Sequence, residues 1–327
     1  MKIAICGYGG LGRGVECAVR QNADTELFGV FTRRDPESIK TFTGAPVYSV
    51  NDILKFKGAF DVLIICTGSA KDLPLMTPRL AEHFEVVDSF DTHKRIPEHF
   101  QKVDAAAKKG DHAALISAGW DPGLFSIERL YSSALLPDGE SYTFWGRGVS
   151  QGHTEAIRRI DGVLDARQYT VPIPEAAARV REQATERRTL TAKEMHRREC
   201  YVVARDGADK ALIEQRIRSM PDYFEGYETS VTFIDEKEMR EKHTSFAHGG
   251  SVIRTGRTGA KGENISTVEY RLRLDSNPEF TANALVAFGR ALLRMKQRGC
   301  RGCFTVLDIA PIDVLALPRE QILRSIL

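Results

Sequence analysis

The first third of the chain alternates short apolar runs with stretches of helical character. Five runs have the length of buried strands and end in small, polar or turn-forming residues: 2–6, 27–31, 61–66, 85–87 and 113–116. A helical pattern around residues 15–21 separates the first two runs. Strands alternating with helices are typical of a parallel, doubly wound sheet. We therefore predict an α/β domain of this kind in residues 1–118.

The pattern changes after residue 118. Asp121-Pro122-Gly123 predicts the start of a helix through residue 135, with Pro122 in its first position and Asp121 as the N-cap. Later elements are predicted as strands at 166–171, 200–204, 229–234 and 268–274, and as helices at 211–218 and 281–298. We expect an antiparallel sheet with helices on one face, and hence an α+β second region.

Composition narrows the class of protein. The 327 residues include 42% apolar residues, enough for a substantial core, and 46 Lys plus Arg balance 44 Asp plus Glu. This balance argues against a protein that binds a phosphate backbone, so no nucleic-acid partner is expected. No run reaches the length of a membrane span and no signal peptide is visible, which predicts a cytoplasmic protein without a membrane partner.

The six cysteines do not predict a disulfide framework or a metal site. Only Cys300 and Cys303 form a C-x-x-C pair, and no second pair of ligands stands at a spacing that zinc would need. We interpret the pair as inert thiols and predict no metal.

A glycine-rich string follows the first predicted strand directly. Gly7-Tyr8-Gly9-Gly10-Leu11-Gly12 has the G-x-G-x-x-G spacing and precedes a predicted helix. In this motif the first glycine permits the tight turn, the second lets the backbone approach a pyrophosphate, and the third allows close packing of helix and strand. It predicts a Rossmann-type dinucleotide site with the phosphates at the helix N-terminus.

The end of the second predicted strand indicates which dinucleotide is bound. NAD sites place an acidic residue here to bind the ribose hydroxyls, but this chain reads Thr32-Arg33-Arg34. Two guanidinium groups can form charge-assisted bonds to a 2′-phosphate. The sequence therefore favours NADP over NAD.

Three further loops follow predicted strands. They read Cys66-Thr67-Gly68-Ser69, Asp88-Ser89-Phe90-Asp91 and Ser117-Ala118-Gly119-Trp120-Asp121-Pro122-Gly123. Ligands of open parallel sheets bind at the carboxyl ends of the strands, so these loops should meet near the nicotinamide. Asp91 and Asp121 are candidates for a cationic substrate group, while Asp121 has the alternative role of helix cap. Cys66 has no sequence neighbour that would activate a thiolate, and we interpret it as a packing residue.

With these residues in view, the chain resembles the meso-diaminopimelate dehydrogenase family. The resemblance extends over nearly the whole chain and also includes Phe144-Trp145-Gly146, Ser150-Gln151-Gly152-His153, Met220-Pro221-Asp222-Tyr223-Phe224, His248-Gly249-Gly250 and Asn277-Pro278-Glu279-Phe280-Thr281-Ala282. Their joint occurrence in this order makes the resemblance specific.

The resemblance implies an activity, a domain plan and a partner. The activity would be reversible, NADP-dependent oxidative deamination of the D-centre of meso-diaminopimelate to L-2-amino-6-oxopimelate and ammonia, in bacterial lysine and cell-wall precursor biosynthesis. Residues 119–281 would bind substrate and form a homodimer, and residues 282–327 would return to the dinucleotide-binding domain.

Matching positions imply two groups of substrate ligands. Residues around the D-centre would be Asp91, Trp120, Asp121, Trp145, Gln151 and Gly152. The L-centre would be held by a group that we call the distal clamp: Thr170, Arg198, His248 and Asn277. Arg197 is an alternative to Arg198, because the two are adjacent and the preceding charged segment varies in length. Asp91 and Asp121 are the candidate proton carriers, and His153 is a further one whose alternative is a structural role.

Two other functions remain compatible with the sequence. One is a broad NADP-dependent D-amino-acid dehydrogenase with a less demanding distal pocket. The other is an NADP-binding regulator that has kept the fold without the chemistry.

Overall fold

A computed structural model describes residues 1–182, 189–245 and 247–327, without the side chain of Gln151. The chain divides into two compact units. The first unit comprises Met1–Ile127 and Pro278–Leu327, and the second comprises Glu128–Asn277.

Helices and short 3₁₀ segments lie along both units. The helices are α1 (Gly10–Gln21), α2 (Leu73–Ala81), α3 (Ile96–Lys109), α4 (Leu124–Leu135), α5 (Gln151–Arg158), α6 (Pro174–Glu182), α7 (Ala192–Met195), α8 (Lys210–Arg218), α9 (Glu236–Lys242), α10 (Asn277–Gln297) and α11 (Arg319–Ile326). The 3₁₀ segments are Pro36–Ser38, Val50–Phe56, His93–Arg95, Val306–Asp308 and Pro311–Val314.

The first unit contains a parallel sheet. Its strands are β1 (Lys2–Cys6), β2 (Glu26–Thr32), β3 (Val47–Ser49), β4 (Val62–Ile65), β5 (Val86–Asp88), β6 (Ala113–Leu115) and β14 (Gly302–Phe304). They lie in the order β14-β6-β5-β4-β1-β2-β3, and every neighbouring pair is parallel. The predicted Rossmann-type sheet is confirmed.

Both faces of this sheet are covered, which explains why its strands are continuous apolar runs. In β1, Ile3 and Ile5 pack into one core cluster, whereas Ala4 and Cys6 pack into the other. All four are at most 1% exposed. Alternate residues of a strand point to opposite faces, so only a sheet with helices on both sides can bury them all.

The second unit contains two smaller sheets. Their strands are β7 (Gly139–Trp145), β8 (Gly148–Val149), β9 (Val163–Pro172), β10 (His196–Ala204), β11 (Thr229–Phe233), β12 (His248–Thr258) and β13 (Asn264–Leu274). One sheet has the order β11-β10-β9-β8 and the other β13-β12-β7. The predicted α+β character of this region is confirmed.

The first of these sheets is mixed, so the prediction of an antiparallel sheet was wrong for one pair. β10 and β11 are parallel, whereas β9 pairs antiparallel with both β8 and β10. The reason is the connection: α8 lies between β10 and β11, and a helical crossover returns the chain to the end where the previous strand began.

Two helices also begin elsewhere than predicted. α4 starts at Leu124, so Pro122 is not its first residue and Asp121 lies two positions before the N-cap. α10 starts at Asn277, four residues before the predicted start. Pro278 therefore lies in the first turn of α10, where its missing N–H costs no helical hydrogen bond.

No helix within the described residues has both the length and the apolar composition needed to cross a membrane.

Candidate active site

The glycine turn after β1 has the geometry that its sequence predicts. Gly7 has φ +99°, and a Cβ there would lie 2.8 Å from the carbonyl oxygen of Cys66. A Cβ on Gly12 would lie 2.1 Å from the Gly7 carbonyl oxygen, so only glycine lets α1 approach β1 this closely. Gly9 differs, because its Cβ would meet no atom within 4 Å. That open side is where the motif places a pyrophosphate.

The N-terminus of α1 is suited to phosphate groups. Gly9 is its N-cap and provides no side-chain hydrogen bond, and the first turn carries no acidic residue. The N–H groups of Gly10 and Leu11 belong to this first turn, where a helix leaves its amides without intrahelical partners. Together with the helix dipole they favour an anion.

A buried carboxylate that sequence reasoning missed supports this turn. Glu16 of α1 is fully buried, and its carboxylate accepts hydrogen bonds from the Tyr8 hydroxyl and, at 2.7 Å and 2.6 Å, from the backbone N–H and the hydroxyl of Thr43. Burial alone would raise the pKa of Glu16, but the bonds from Thr43 and Tyr8 outweigh it and lower that pKa. Glu16 thus fixes the residue between the first two motif glycines.

The arginine pair lies directly beyond β2. Arg33 forms a bidentate ion pair with Asp72, with both N–O distances 2.9 Å, although its side chain remains 61% exposed. Arg34 donates to the carbonyl oxygen of Tyr8 at 2.6 Å, and its backbone N–H donates to the Thr32 hydroxyl at 3.1 Å. The ion pair with Arg33 holds the pKa of Asp72 below its usual value. Because Arg34 bonds to the Tyr8 carbonyl oxygen, it contacts the glycine turn itself.

The loops after β4 and β5 meet, as predicted. The Ser69 hydroxyl donates to the Asp91 carboxylate at 2.5 Å and accepts from the Asp91 backbone N–H at 3.1 Å. Gly68 donates its N–H to Asp72 at 3.0 Å. Asp91 itself is exposed, so a ligand can reach its carboxylate.

Cys66 and Thr67 lie deeper in the same loop. Cys66 is 8% exposed and packs in the core, and burial raises the pKa of its thiol far above the ordinary value. Such a thiol is not a nucleophile. The buried hydroxyl of Thr67 has no hydrogen-bond partner among the described residues, and it remains available to a ligand.

The loops after β5 and β6 are joined through Asp88. One carboxylate oxygen of Asp88 accepts from the backbone N–H groups of Phe90 and Ser117, each at 3.0 Å, and the Asp88 carbonyl accepts from Ala118 N–H at 3.0 Å. Ser89 lies inside the first of these loops. All three loops predicted to meet are therefore connected to one another within the first unit.

The loop after β6 places Trp120 and Asp121 next to the start of α4. Trp120 is 7% exposed and its ring meets that of Phe125 edge to face at 5.2 Å. Asp121 is half-buried. Gly123 has φ +137°, and a Cβ there would lie 1.7 Å from the carbonyl oxygen of Gly119. This close approach folds the loop tightly and requires glycine at that position.

In the second unit, Thr170 and Arg198 are cross-strand neighbours on β9 and β10. The Arg198 guanidinium donates to the Thr170 hydroxyl and lies over the ring of Tyr227, 4.2 Å from its centroid. Arg198 is 8% exposed, burial lowers its pKa, and its Nε has no partner among the described residues. No carboxylate of the described residues pairs with this buried cation, and such a charge is costly unless a ligand provides an anion.

Arg197 has a different environment. Its side chain is 45% exposed and lies 3.4 Å from the carboxylate of Glu199. Successive residues of a strand point to opposite faces, so Arg197 and Arg198 cannot serve the same site.

His248 starts β12 of the other small sheet, and its ring lies beside Gly148 of β8. Gly148 is the other cross-strand neighbour of Thr170, and a Cβ on Gly148 would lie 2.3 Å from the His248 ring. The ring thus occupies the space beside Thr170 that a larger residue at 148 would fill. Three members of the distal clamp, namely Thr170, Arg198 and His248, are brought together. Asn277 is the first residue of α10.

His153 of α5 lies near this group. Its Nδ1 is 2.6 Å from the Ser150 hydroxyl, and its ring packs edge-on against Phe224 at 5.6 Å. Burial and the charge of Arg198 lower the pKa of His153 to about 4. The imidazole is therefore neutral near pH 7. Gly152, beside it, is exposed, whereas the side chain of Gln151 lies outside the described part.

Trp145 is held by a histidine that sequence reasoning did not identify. The Trp145 backbone N–H donates to Nε2 of His196 at 2.9 Å, and the two rings lie 5.1 Å apart. Nε2 therefore carries the lone pair, and Nδ1 donates to the carbonyl oxygen of Ala192 at 3.1 Å. His196 is 1% exposed, and burial lowers its pKa to about 4.

Within the described residues, no three His, Cys, Asp or Glu side chains lie close enough together to hold a metal ion.

Comparison with known proteins gives consistent matches. The profile of the diaminopimelic acid dehydrogenase C-terminal domain matches residues 119–276. A meso-diaminopimelate D-dehydrogenase of Acetivibrio thermocellus is 51% identical over 100% of this chain and 98% of its own length. The structure of the Corynebacterium glutamicum DAP dehydrogenase in complex with DAP matches with a TM-score of 0.92 and 46% identity, over 100% of this chain and 99% of that one. An engineered D-amino acid dehydrogenase bound to NADP⁺ matches with a TM-score of 0.88 and 45% identity, over 100% and 99% of the two chains.

The fold and the site together define a class. A parallel sheet with a glycine turn, an arginine pair and aspartate-bearing loops at the carboxyl ends of its strands is the architecture of an NADP-dependent oxidoreductase. Within that class, the chain belongs to the meso-diaminopimelate D-dehydrogenase family.

Proposed function

We propose that the chain catalyses the reversible oxidative deamination of meso-2,6-diaminopimelate at its D-centre. The Cα–H hydrogen leaves as hydride, the resulting imine adds water, and the C–N bond then breaks. The products are L-2-amino-6-oxopimelate, ammonia, NADPH and a proton. Full-length relatives with this name, at about half identity, support the assignment and its place in lysine biosynthesis.

The observation that carries this proposal is the environment of Arg198. A guanidinium that is 8% exposed and has no acidic partner among the described residues needs an anion to offset the cost of burial. The distal carboxylate of a substrate with two amino-acid heads is such an anion. A dinucleotide sensor would have no use for it.

The cofactor is NADP. Arg33 and Arg34 offer donors for a 2′-phosphate, and the end of β2 carries no carboxylate that would repel it. When bound, NADP accepts the hydride from the substrate. The residues of this chain orient the Cα–H bond and move protons. The open side of Gly9 and the uncapped start of α1 fit the pyrophosphate.

We assign the proton transfers of the D-centre to Asp91 and Asp121. Deprotonating the substrate ammonium and activating the attacking water both need a carboxylate near the reacting carbon. Asp91 is exposed and its second oxygen is not used by Ser69. Trp120, Trp145, Gln151 and Gly152 would surround the same centre.

The distal clamp would bind the L-centre, with Arg198 rather than Arg197 as its guanidinium. Arg198 projects from the same sheet face as Thr170 and Gly148, and the ring of His248 lies beside Gly148, whereas Arg197 points to the opposite face. We further propose that the second unit is the substrate-binding and dimerisation region, that the chain is a homodimer, and that it acts in the cytoplasm. A sedimentation mass near that of one chain would contradict the homodimer.

The function is tested by adding meso-diaminopimelate to folded protein with NADP⁺ and following absorbance of NADPH. D-lysine and D-alanine in parallel reactions distinguish a broad D-amino-acid dehydrogenase, which would turn over all three at similar rates. Binding of NADP⁺ without reduction by any of them would instead indicate a regulator.

A further inference from the structure

Gln168 has an environment that packing alone does not explain. It lies in β9, is 0% exposed, and neither its Oε1 nor its Nε2 has a hydrogen-bond partner among the described residues. Buried side-chain polar atoms are nearly always paired, and each exception calls for an explanation. An amide with both functional atoms unpaired destabilises a folded protein.

The position of Gln168 in the sheet connects it to the distal clamp. Gln168 pairs with Cys200 across β9 and β10, and Thr170 pairs with Arg198. Paired residues and residues two apart share a face, so these four side chains project from the same side of the sheet. The buried Nε of Arg198 is likewise unpartnered among the described residues. The unpaired polar atoms of this face therefore belong to two side chains, Gln168 and Arg198, which are diagonal neighbours across β9 and β10.

Gln168 also stands at a boundary in this face. On one side, Ala166 and Cys200 belong to an apolar core cluster with Ile157 and Val202. On the other side are the polar groups of Thr170 and Arg198. An apolar side chain of the same length would pack at position 168 without leaving polar atoms unpaired. The amide of Gln168 thus lies where the apolar core ends and the distal clamp begins.

We infer that Gln168 is a specificity-determining residue for the distal amino-acid head, acting beside Arg198. This inference rests on the proposed function and extends it to a residue outside the distal clamp. An amide presents both a donor and an acceptor, and the head has a carboxylate that accepts and an ammonium that donates. Because Gln168 is 0% exposed in the free protein, its amide turns toward Arg198 when the head binds, and the head then completes hydrogen bonds that the free protein leaves unmade.

The test is Gln168→Met, which keeps the length of the side chain and removes its polar atoms. Binding of meso-diaminopimelate to the protein–NADPH complex is measured by calorimetry, together with KM, the Kd of NADP⁺ and the melting temperature. We expect Kd and KM for meso-diaminopimelate to rise roughly tenfold or more, the scale of a lost bond to a charged group. The Kd of NADP⁺ should not change, and the melting temperature should stay equal or rise.

Two further variants make the result specific. Gln215→Met makes the same chemical change at an exposed position of α8 and should leave every quantity unchanged. In an Arg198→Met background, Gln168→Met should weaken substrate binding much less than it does alone, because the two residues act on one head.

Several outcomes would overturn the inference. Wild-type substrate binding in Gln168→Met would show that the amide does not contact the head. A lower melting temperature with equal losses for substrate and NADP⁺ would show a purely structural role. If the wild-type protein itself fails to bind or oxidise meso-diaminopimelate, the proposed function fails and this inference fails with it.

Discussion

Asp88 and Ser117 join the ends of two neighbouring strands of the parallel sheet. The Ser117 backbone N–H donates to the Asp88 carboxylate at 3.0 Å, and the same oxygen accepts from Phe90 N–H at 3.0 Å. Ser117 has φ +57°, an unusual conformation for a residue with a side chain. The carboxylate therefore holds the loop of Asp91 and the loop of Trp120 and Asp121 at a fixed separation.

The other carboxylate oxygen of Asp88 has hydrogen-bond partners of its own. It accepts from the Thr77 hydroxyl at 2.7 Å and lies 2.8 Å from Nε2 of His99. Asp88 is 0% exposed and His99 is 3% exposed. A buried carboxylate is tolerated when its oxygens accept several hydrogen bonds, as these do.

Asp88→Asn should therefore impair catalysis more than cofactor binding. Asparagine keeps one oxygen that can accept from the backbone N–H groups of Phe90 and Ser117. Its NH₂ group replaces the oxygen that Thr77 and His99 contact, and an NH₂ group cannot accept a hydrogen bond. The resulting shift of the loops should lower kcat by roughly tenfold to a hundredfold, the effect of a small misplacement of reacting groups. Steady-state kinetics and the Kd of NADP⁺ measure the two effects separately.

Asp104→Asn is the matched control for this variant. Asp104 also accepts a backbone N–H bond, from Cys303 at 3.0 Å at the start of β14, and pairs with Lys108. Replacing the Asp104 carboxylate with an amide should lower thermal stability without changing kcat. If Asp88→Asn likewise lowered thermal stability but left kcat unchanged, Asp88 would not position the loops of Asp91 and Asp121.

The meeting of the three loops was predictable from sequence because it follows from topology. Parallel strands end at one edge of a sheet, so Ser69 and Asp91 had to be close wherever the strands paired as neighbours. The glycine turn was predictable for a similar reason, since its three glycines have separate steric roles. Gly9 faces open space, and Gly7 and Gly12 are in close backbone contact.

What sequence did not predict is mostly polar groups inside the protein. Glu16, Asp88 and Gln168 are each 0% exposed, yet the apolar pattern treats a polar residue as a surface position. Only three-dimensional neighbours show that Glu16 and Asp88 are paired and that the Gln168 amide has no partner among the described residues. The parallel pairing of β10 and β11 was missed because strand periodicity carries no information about direction.

Arg33 and Arg34 should determine selectivity between the two dinucleotides. We expect Arg33→Ala or Arg34→Ala to weaken NADP⁺ binding by about 1.5–3 kcal/mol, the value of a hydrogen bond to a charged group, and to weaken NAD⁺ binding far less. Fluorescence titrations with both cofactors measure this. Arg20→Ala, in the last turn of α1, serves as a control. Equal losses for both cofactors would refute the role of the pair.

His196 should make stability depend on pH. Its pKa in the folded protein is about 4, below the value of roughly 6.5 for an unfolded chain. Between these values the unfolded state binds more protons, so the free energy of unfolding rises with pH and is lost as pH falls from about 6.5 toward 4. His196→Gln should reduce this slope by up to about 1.4 kcal/mol per pH unit.

Urea unfolding of the wild type and of His196→Gln at several pH values across this range provides the measurement. The amide oxygen of glutamine can still accept the Trp145 N–H bond that His196 accepts at 2.9 Å. The comparison therefore isolates the titration from the loss of that bond. Identical slopes for the two proteins would mean that His196 takes up its proton equally in the folded and unfolded states.

Arg198 should determine which end of the substrate reacts. A substrate with two similar ends can bind in two directions, and only one of them presents the D-centre to the nicotinamide. Anchoring the distal carboxylate on Arg198 would select that direction, because the other would leave charged groups unpaired in a desolvated pocket. Binding energy from this remote contact is used for orientation, so its loss should lower kcat as well as raise KM.

We therefore expect Arg198→Met to reduce kcat/KM for meso-diaminopimelate by roughly a hundredfold or more. Turnover of D-amino acids with short apolar side chains should be spared or improved, because for them the guanidinium is only an unsatisfied charge. Arg197→Met is the matched control. It should keep its activity in both assays, since Arg197 is 45% exposed and points to the other face. Full activity of Arg198→Met with an inactive Arg197→Met would reverse the assignment, and full activity of both would refute the clamp.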